Sequence, residues 1–190
     1  DRTKSRGLGD VYKRQAGIPL TFMTVDLALN RQAQLQADER ILIHSGAGGI
    51  GLAAIQMAQS IGAEIFATAG SETKRDYLKS LGVDHVMDSR SLDFAKEVMK
   101  ITDGEGIDVI LNALAGEYIP TSLELLRPFG RFVEIGKKDV FANYKLGLFP
   151  FRRNLSYFCV DLGQLGMFKK AEFRERFGNL MQKFAMGDLY

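Results

Sequence analysis

The chain has 190 residues, 46% of them hydrophobic, and carries a formal charge of +2. That length suits one domain with a substantial core, no apolar run reaches the length of a membrane span, and no secretory leader is visible. One cysteine and two histidines exclude an internal disulfide framework and leave no zinc cluster to assemble, and the small net charge gives no basic surplus for nucleic acid; the expected setting is reducing and cytoplasmic.

The first fifteen residues, DRTKSRGLGDVYKRQ, hold five basic and two acidic side chains with no apolar period. They are set aside as a non-native or disordered segment, and the fold is sought in residues 16–190. The chain does not begin with methionine, which suits a fragment of a longer protein. From Ala16 to Leu35 runs a lead-in segment that Pro19 can begin, with Leu20, Met23, Leu27 and Leu35 on a loose apolar face. Ile41 to His44 reads as a short buried strand. Apolar residues then recur at helical spacing, Ile50, Ala53, Ala54, Met57, Ala58 and Ile61, and Gly62 supplies a helix stop.

Strand and helix patterns alternate from there. Glu64 to Thr68 is a strand, Thr73 to Leu81 a helix stopped by Gly82, His85 to Met87 a strand, and Leu92 to Thr102 a helix. After the turn Asp103-Gly104-Glu105-Gly106 come a strand from Asp108 to Asn112 and a short helix from Pro120 to Leu126. Pro128-Phe129-Gly130 turns the chain into a strand from Arg131 to Ile135. A long loop to Asn154 leads into a sixth strand, Leu155 to Val160, and the chain ends in an amphipathic helix with Phe173, Phe177, Leu180 and Phe184 on one side. Such alternation forces right-handed crossovers with helices on both faces. The fold class is therefore α/β, a doubly wound parallel six-stranded sheet of Rossmann type in the order 3-2-1-4-5-6.

Between the first strand and its helix, Gly46, Gly48 and Gly51 match the G-x-G-x-x-G spacing of a dinucleotide-binding turn. Gly46 would allow the tight turn off the strand, Gly48 the approach of a pyrophosphate to backbone, and Gly51 close packing of helix on strand. Ala47, Gly49 and Ile50 complete the set facing the diphosphate, because the first N–H groups of a helix lack internal partners and sit at the positive end of its dipole. The end of the second strand selects the dinucleotide. An NAD site usually places an acidic residue there, whereas this chain has Ala69-Gly70-Ser71, followed by Lys74 and Arg75. One hydroxyl and two cations suit a 2′-phosphate, so NADPH is the expected cofactor; the alternative for Lys74 and Arg75 is a solvated helix face beside Glu72. His44 is expected as a hydrogen-bonded core histidine and Cys159, in its apolar run, as a small buried core residue.

The segments LIHSGAGGIGLAAIQ, FATAGSETKRDYL, SRSLDFA, DVILNALAGE, GRFVEIGKKD and VDL, in this order, resemble the enoyl reductase domains of polyketide synthases and animal-type fatty acid synthases. These belong to the zinc-free medium-chain dehydrogenase/reductase superfamily. The likeness runs from about Ile18 to Tyr190. It implies reduction of a trans-2-enoyl thioester carried on an acyl carrier protein, with hydride from NADPH to the β-carbon and a proton to the α-carbon. By resemblance, Lys137 of EIGKKD and Asp161 of VDL match polar residues near the point of proton delivery. Their positions after the fifth and sixth strands place both at carboxyl ends, where the crevice should lie. Lys137 could donate a proton or steady the enolate and Asp161 could hold Lys137; otherwise Lys137 is a surface lysine and Asp161 a loop cap. Lys138 and Asp139 read as solvent-facing and turn-forming. Thr24, Asn112, Leu114 and Gly136 match positions near the nicotinamide, although Ala113 replaces the family's usual serine.

The family's second, substrate-covering domain has no counterpart here, so the chain is expected to be a cofactor-binding half, inactive by itself. Two other functions stay open: a free-standing quinone oxidoreductase acting on small enones or quinones, and a non-catalytic NADPH-binding module. The apolar sixth strand at a sheet edge is a template for pairing, and by resemblance to family dimers it implies a homodimer through Leu155 to Val160.

Overall fold

The computed structural model describes residues 17–189; the segment set aside at 1–15 lies outside them. A helix over 17–25 (α1) continues without a break into a π-helical stretch, Asp26–Ala33, and ends at Gln34 in left-handed conformation. The rest alternates as expected: β1 Arg40–Ile43, α2 Gly49–Ile61, β2 Glu64–Ala69, α3 Glu72–Ser80, β3 His85–Asp88, α4 Phe94–Ile101, β4 Ile107–Asn112, α5 Tyr118–Glu124, β5 Leu126–Glu134 and β6 Ser156–Cys159. All pairings are parallel and the sheet order is β3-β2-β1-β4-β5-β6.

Both faces are covered, so the central strands are largely apolar and each sorts its side chains by parity. Ile41, Ile43, Ile65, Ala67, Val109, Leu111 and Val133 point to the face packed by α1, its π-helical continuation, α2 and Leu78 of α3. Their neighbours Leu42, Phe66, Ile110 and Phe132 point to the face packed by α4 and α5. Full burial of such side chains stabilises by about 1.5–3 kcal/mol each. His44, one residue past β1, is the expected core histidine: its ring nitrogens lie 3.1 Å from Thr68 Oγ1 and 2.9 Å from Ser122 Oγ, tying β1, β2 and α5 together. Burial pushes its pKa down to about 3, so it is neutral in the fold.

The structure departs from the sequence reading in four places. Pro128-Phe129-Gly130 is not a turn ahead of the fifth strand but a bulge inside it. The register jumps from Ile107↔Leu126 to Val109↔Arg131, and Phe129 takes φ 65°. A Cβ on Gly130 would stand 2.9 Å from the Arg127 carbonyl oxygen, so glycine closes the bulge. The long loop contains α6, Lys138–Phe141, and a 3₁₀ turn, Phe149–Arg153, whose Arg153 donates to the last carbonyls of α5, 2.8 Å to Leu123 and 3.1 Å to Glu124. The terminal helix is two, α7 Leu162–Phe168 and α8 Lys170–Met186; α8 is fixed to the π-helical stretch through Arg176–Asp26 at 2.9 Å and through Arg31–Glu172. Finally, Cys159 is exposed rather than buried, because β6 has no strand beyond it and its last side chain faces outward. Among the described residues no helix is long and apolar enough to cross a membrane.

Candidate functional site

The carboxyl ends of the six strands form one edge of the molecule, and the candidate residues collect along it. At its centre, β1 passes through the turn 44–48 into α2. The left-handed residue of that turn is Ser45, φ 55°, and not Gly46. Gly46 is buried, and a Cβ there would stand 3.1 Å from Ala67 Cβ and from Leu78 Cδ1, so the glycine serves packing against β2 and α3. A Cβ on Gly51 would fall 2.5 Å from the Gly46 carbonyl oxygen, which lets α2 sit directly on the turn. Gly48 and Gly49 are exposed, Ala47 and Ile50 half-buried. Gly48 is the N-cap of α2, and no side chain caps the helix. The helix thus presents its positive end bare of any side chain, a cradle fit for a diphosphate.

On the β2–β3 side lies a cavity of about 280 Å³ lined by Ser45, Ala47, Gly48, Ala69, Gly70, Lys74 and Ser89. Ser71 caps α3, its hydroxyl accepting the Lys74 N–H at 3.4 Å, and the Lys74 side chain is exposed at the cavity wall. Arg75 is turned away from it: its guanidinium lies 3.3 Å from Asp88 Oδ2 and donates to the Ala69 carbonyl at 3.2 Å. A second arginine, not singled out in the sequence, lies near the same cavity: Arg90 Nε is 3.6 Å from where a Cβ of Gly70 would be. The signal for it was the position of Ser89-Arg90 just after β3, whose end shares this edge with β2.

On the β4–β6 side, Lys137 Nζ donates to Asp161 Oδ2 at 2.8 Å, joining the ends of β5 and β6. Asp161 also caps α7 through the Gly163 N–H at 2.8 Å, and the Lys137 bond followed by this one holds its carboxyl below the usual range. Both readings of Asp161, lysine partner and cap, therefore describe the same side chain. Asn112 is fully buried, donates to the Leu114 carbonyl at 2.7 Å and accepts the Leu114 N–H at 3.2 Å, so its side chain holds the half-exposed Leu114 loop. Gly136 donates its N–H to Glu134 Oε1 at 2.5 Å. Asp139 is half-buried and accepts the Gly116 N–H at 2.9 Å, so it ties two loops instead of only turning the chain. The Thr24 hydroxyl donates back to the Leu20 carbonyl at 2.9 Å, within α1.

The sequence pattern of the zinc-binding dehydrogenase family matches residues 49–182, and the chain belongs to that family. It is 46% identical over 183 residues to the phthioceranic/hydroxyphthioceranic acid synthase of Mycobacterium tuberculosis, a match covering 96% of this chain and 8% of that protein. Among solved structures, the nucleotide-binding subdomain of the enoylreductase domain of PpsC from Mycobacterium tuberculosis is 44% identical with a TM-score of 0.86, covering 91% of this chain and 97% of that one. CurK enoyl reductase is 46% identical with a TM-score of 0.80, covering 90% of this chain and 50% of that one. The chain thus spans less than a tenth of the length of such curated relatives. The zinc of the family's name finds no home among the described residues: no group of three or more His, Cys, Asp or Glu is placed to hold a metal ion.

Proposed function

We propose that this chain is the cofactor-binding part of a polyketide-synthase enoyl reductase, which uses NADPH to saturate a trans-2-enoyl thioester carried on an acyl carrier protein. The observation that carries the reading is the Lys137–Asp161 pair, 2.8 Å apart, on the same strand-end edge as the bare N-terminus of α2. The synthase relatives, and the enoyl reductase structures that match at similar identity, favour this over a free-standing quinone oxidoreductase.

When bound, NADPH supplies hydride to the β-carbon. The chain's residues do the rest. The N–H groups at the start of α2 would hold the diphosphate. Ser71, Lys74 and Arg90 would serve a 2′-phosphate, with Arg75 already bonded to Asp88 and the Ala69 carbonyl. The Leu114 and Gly136 loops would serve the nicotinamide half, because they lie on the β4–β5 side of the β1/β4 switch point. Lys137 Nζ offers a positive charge and a proton to the enolate. Asp161 keeps the amine at the β5–β6 mouth through their 2.8 Å bond.

The covering domain, expected to exclude water and align the enoyl group, is not part of the 17–189 fold. The outer edge of β6 pairs a second copy of the chain, flanked by the exposed Val140, Tyr144 and Phe168, which line cavities shared with Cys159. The activity test is reduction of a crotonyl thioester and of a quinone by the two-domain protein with NADPH. Thioester turnover is expected; turnover of the quinone alone would overturn the assignment.

A further inference from the structure

Glu134 ends β5 with only 3% of its surface exposed, a costly place for a carboxylate unless its oxygens are bonded. Both are. Oε2 accepts the Asn112 amide at 2.5 Å and Oε1 accepts the Gly136 N–H at 2.5 Å. Asn112 and Glu134 are register partners across β4 and β5, so the contact is built into the sheet. Each bond continues outward. The amide that Glu134 orients is the one that grips both the carbonyl and the N–H of Leu114. The N–H that it accepts belongs to the residue before Lys137. A Cβ on Gly136 would stand 2.7 Å from Oε1, so the loop lies pressed onto the carboxylate. Farther out, Asp139 ties the same two loops together through the Gly116 N–H at 2.9 Å.

We propose that Glu134 is the positioning residue for the nicotinamide half of the site. One carboxylate holds the β4 loop through Asn112 and the β5 loop through Gly136, and so sets where the Leu114 backbone and Lys137 stand relative to the bound ring. This rests on the dinucleotide-binding reading. It assigns to the acid, and not to Asn112 alone, the alignment of both loops. Burial, opposed by these two bonds, brings the carboxyl to a pKa of about 7.

Glu134→Gln is the discriminating variant. Its carbonyl can still accept from Gly136, but its NH₂ meets the Asn112 NH₂, donor against donor, and turning Asn112 over would break its grip on Leu114. Titrations of this chain with NADPH and with 2′,5′-ADP, which lacks the nicotinamide half, read the effect. The expected result is about a tenfold loss for NADPH, the size of one buried hydrogen bond, with 2′,5′-ADP affinity within about twofold of wild type, because its partners lie at the starts of α2 and α3 and just after β3. Equal losses for both ligands would mean a general structural role and overturn the proposal, as would an unchanged NADPH affinity. If the wild-type chain bound neither ligand, the dinucleotide reading itself would fall and the Glu134 assignment with it.

Discussion

Two buried titratable groups in this fold pull stability in opposite directions with pH, and removing either should unmask the other. His44 has its pKa lowered by burial to about 3, so below the unfolded value of 6.5 the unfolded chain takes up a proton that the native state refuses. Its contribution is therefore present above pH 6.5 and lost as pH falls. Glu134 has its pKa raised, chiefly by burial, to about 7 from 4.5, so the native state binds the extra proton. Its contribution is present below pH 4.5 and lost as pH rises through 7. Between pH 5 and 6.5 the linkage relation gives each group a change of about 1.7 kcal/mol, of opposite sign. From these two groups the unfolding free energy should be nearly level across that window. In Glu134→Gln it should climb with pH by about 1.7 kcal/mol, and in His44→Asn it should fall by a similar amount. Urea unfolding at three pH values, followed by circular dichroism, reads all three slopes. The overall loss of stability in each variant does not matter, because the test is the tilt. Parallel curves for wild type and both variants would refute the assignment of the two protonation states.

The remaining predictions concern the cofactor and the sheet edge. Lys74→Ala should weaken NADPH by about tenfold or more, the size of a charge-assisted bond, and leave NADH unchanged, by fluorescence titration. Arg75→Ala should cost less, because Asp88 already holds that guanidinium at 3.3 Å. Equal losses for both cofactors would remove the cluster from phosphate recognition. At the edge, Cys159→Lys should convert dimer to monomer in sedimentation. Val160 is unsuited to that test because it is 6% exposed and belongs to the core; a wild-type chain already monomeric at high concentration would end the pairing idea.

Much of the fold was legible because a parallel sheet covered on both faces writes itself as short apolar runs between helical periods. The strand order followed from the alternation and the glycine turn. What escaped depends on contacts between segments far apart in sequence. Nothing local marks Pro128-Phe129-Gly130 as a bulge; only its pairing with β4 does. Cys159 sits in a run that reads as core, and its exposure follows from β6 being the last strand. In the site, Lys137 and Asp161 could be placed at strand ends from their positions alone, and their side chains meet. Glu134 could not be distinguished from any other strand residue, since its meaning comes from the register that sets it opposite Asn112. Arg90 likewise needed the neighbouring ends of β2 and β3.

The central claim is that Lys137 acts on the developing enolate during NADPH-dependent enoyl reduction. Its most direct test compares wild type with Lys137→Ala in the intact two-domain protein, measuring single-turnover reduction of a crotonyl thioester beside NADPH affinity. The account predicts a rate lower by about a hundredfold, the scale of a lost general acid, with NADPH affinity within about twofold. An unchanged rate, or a loss confined to NADPH binding, would contradict it.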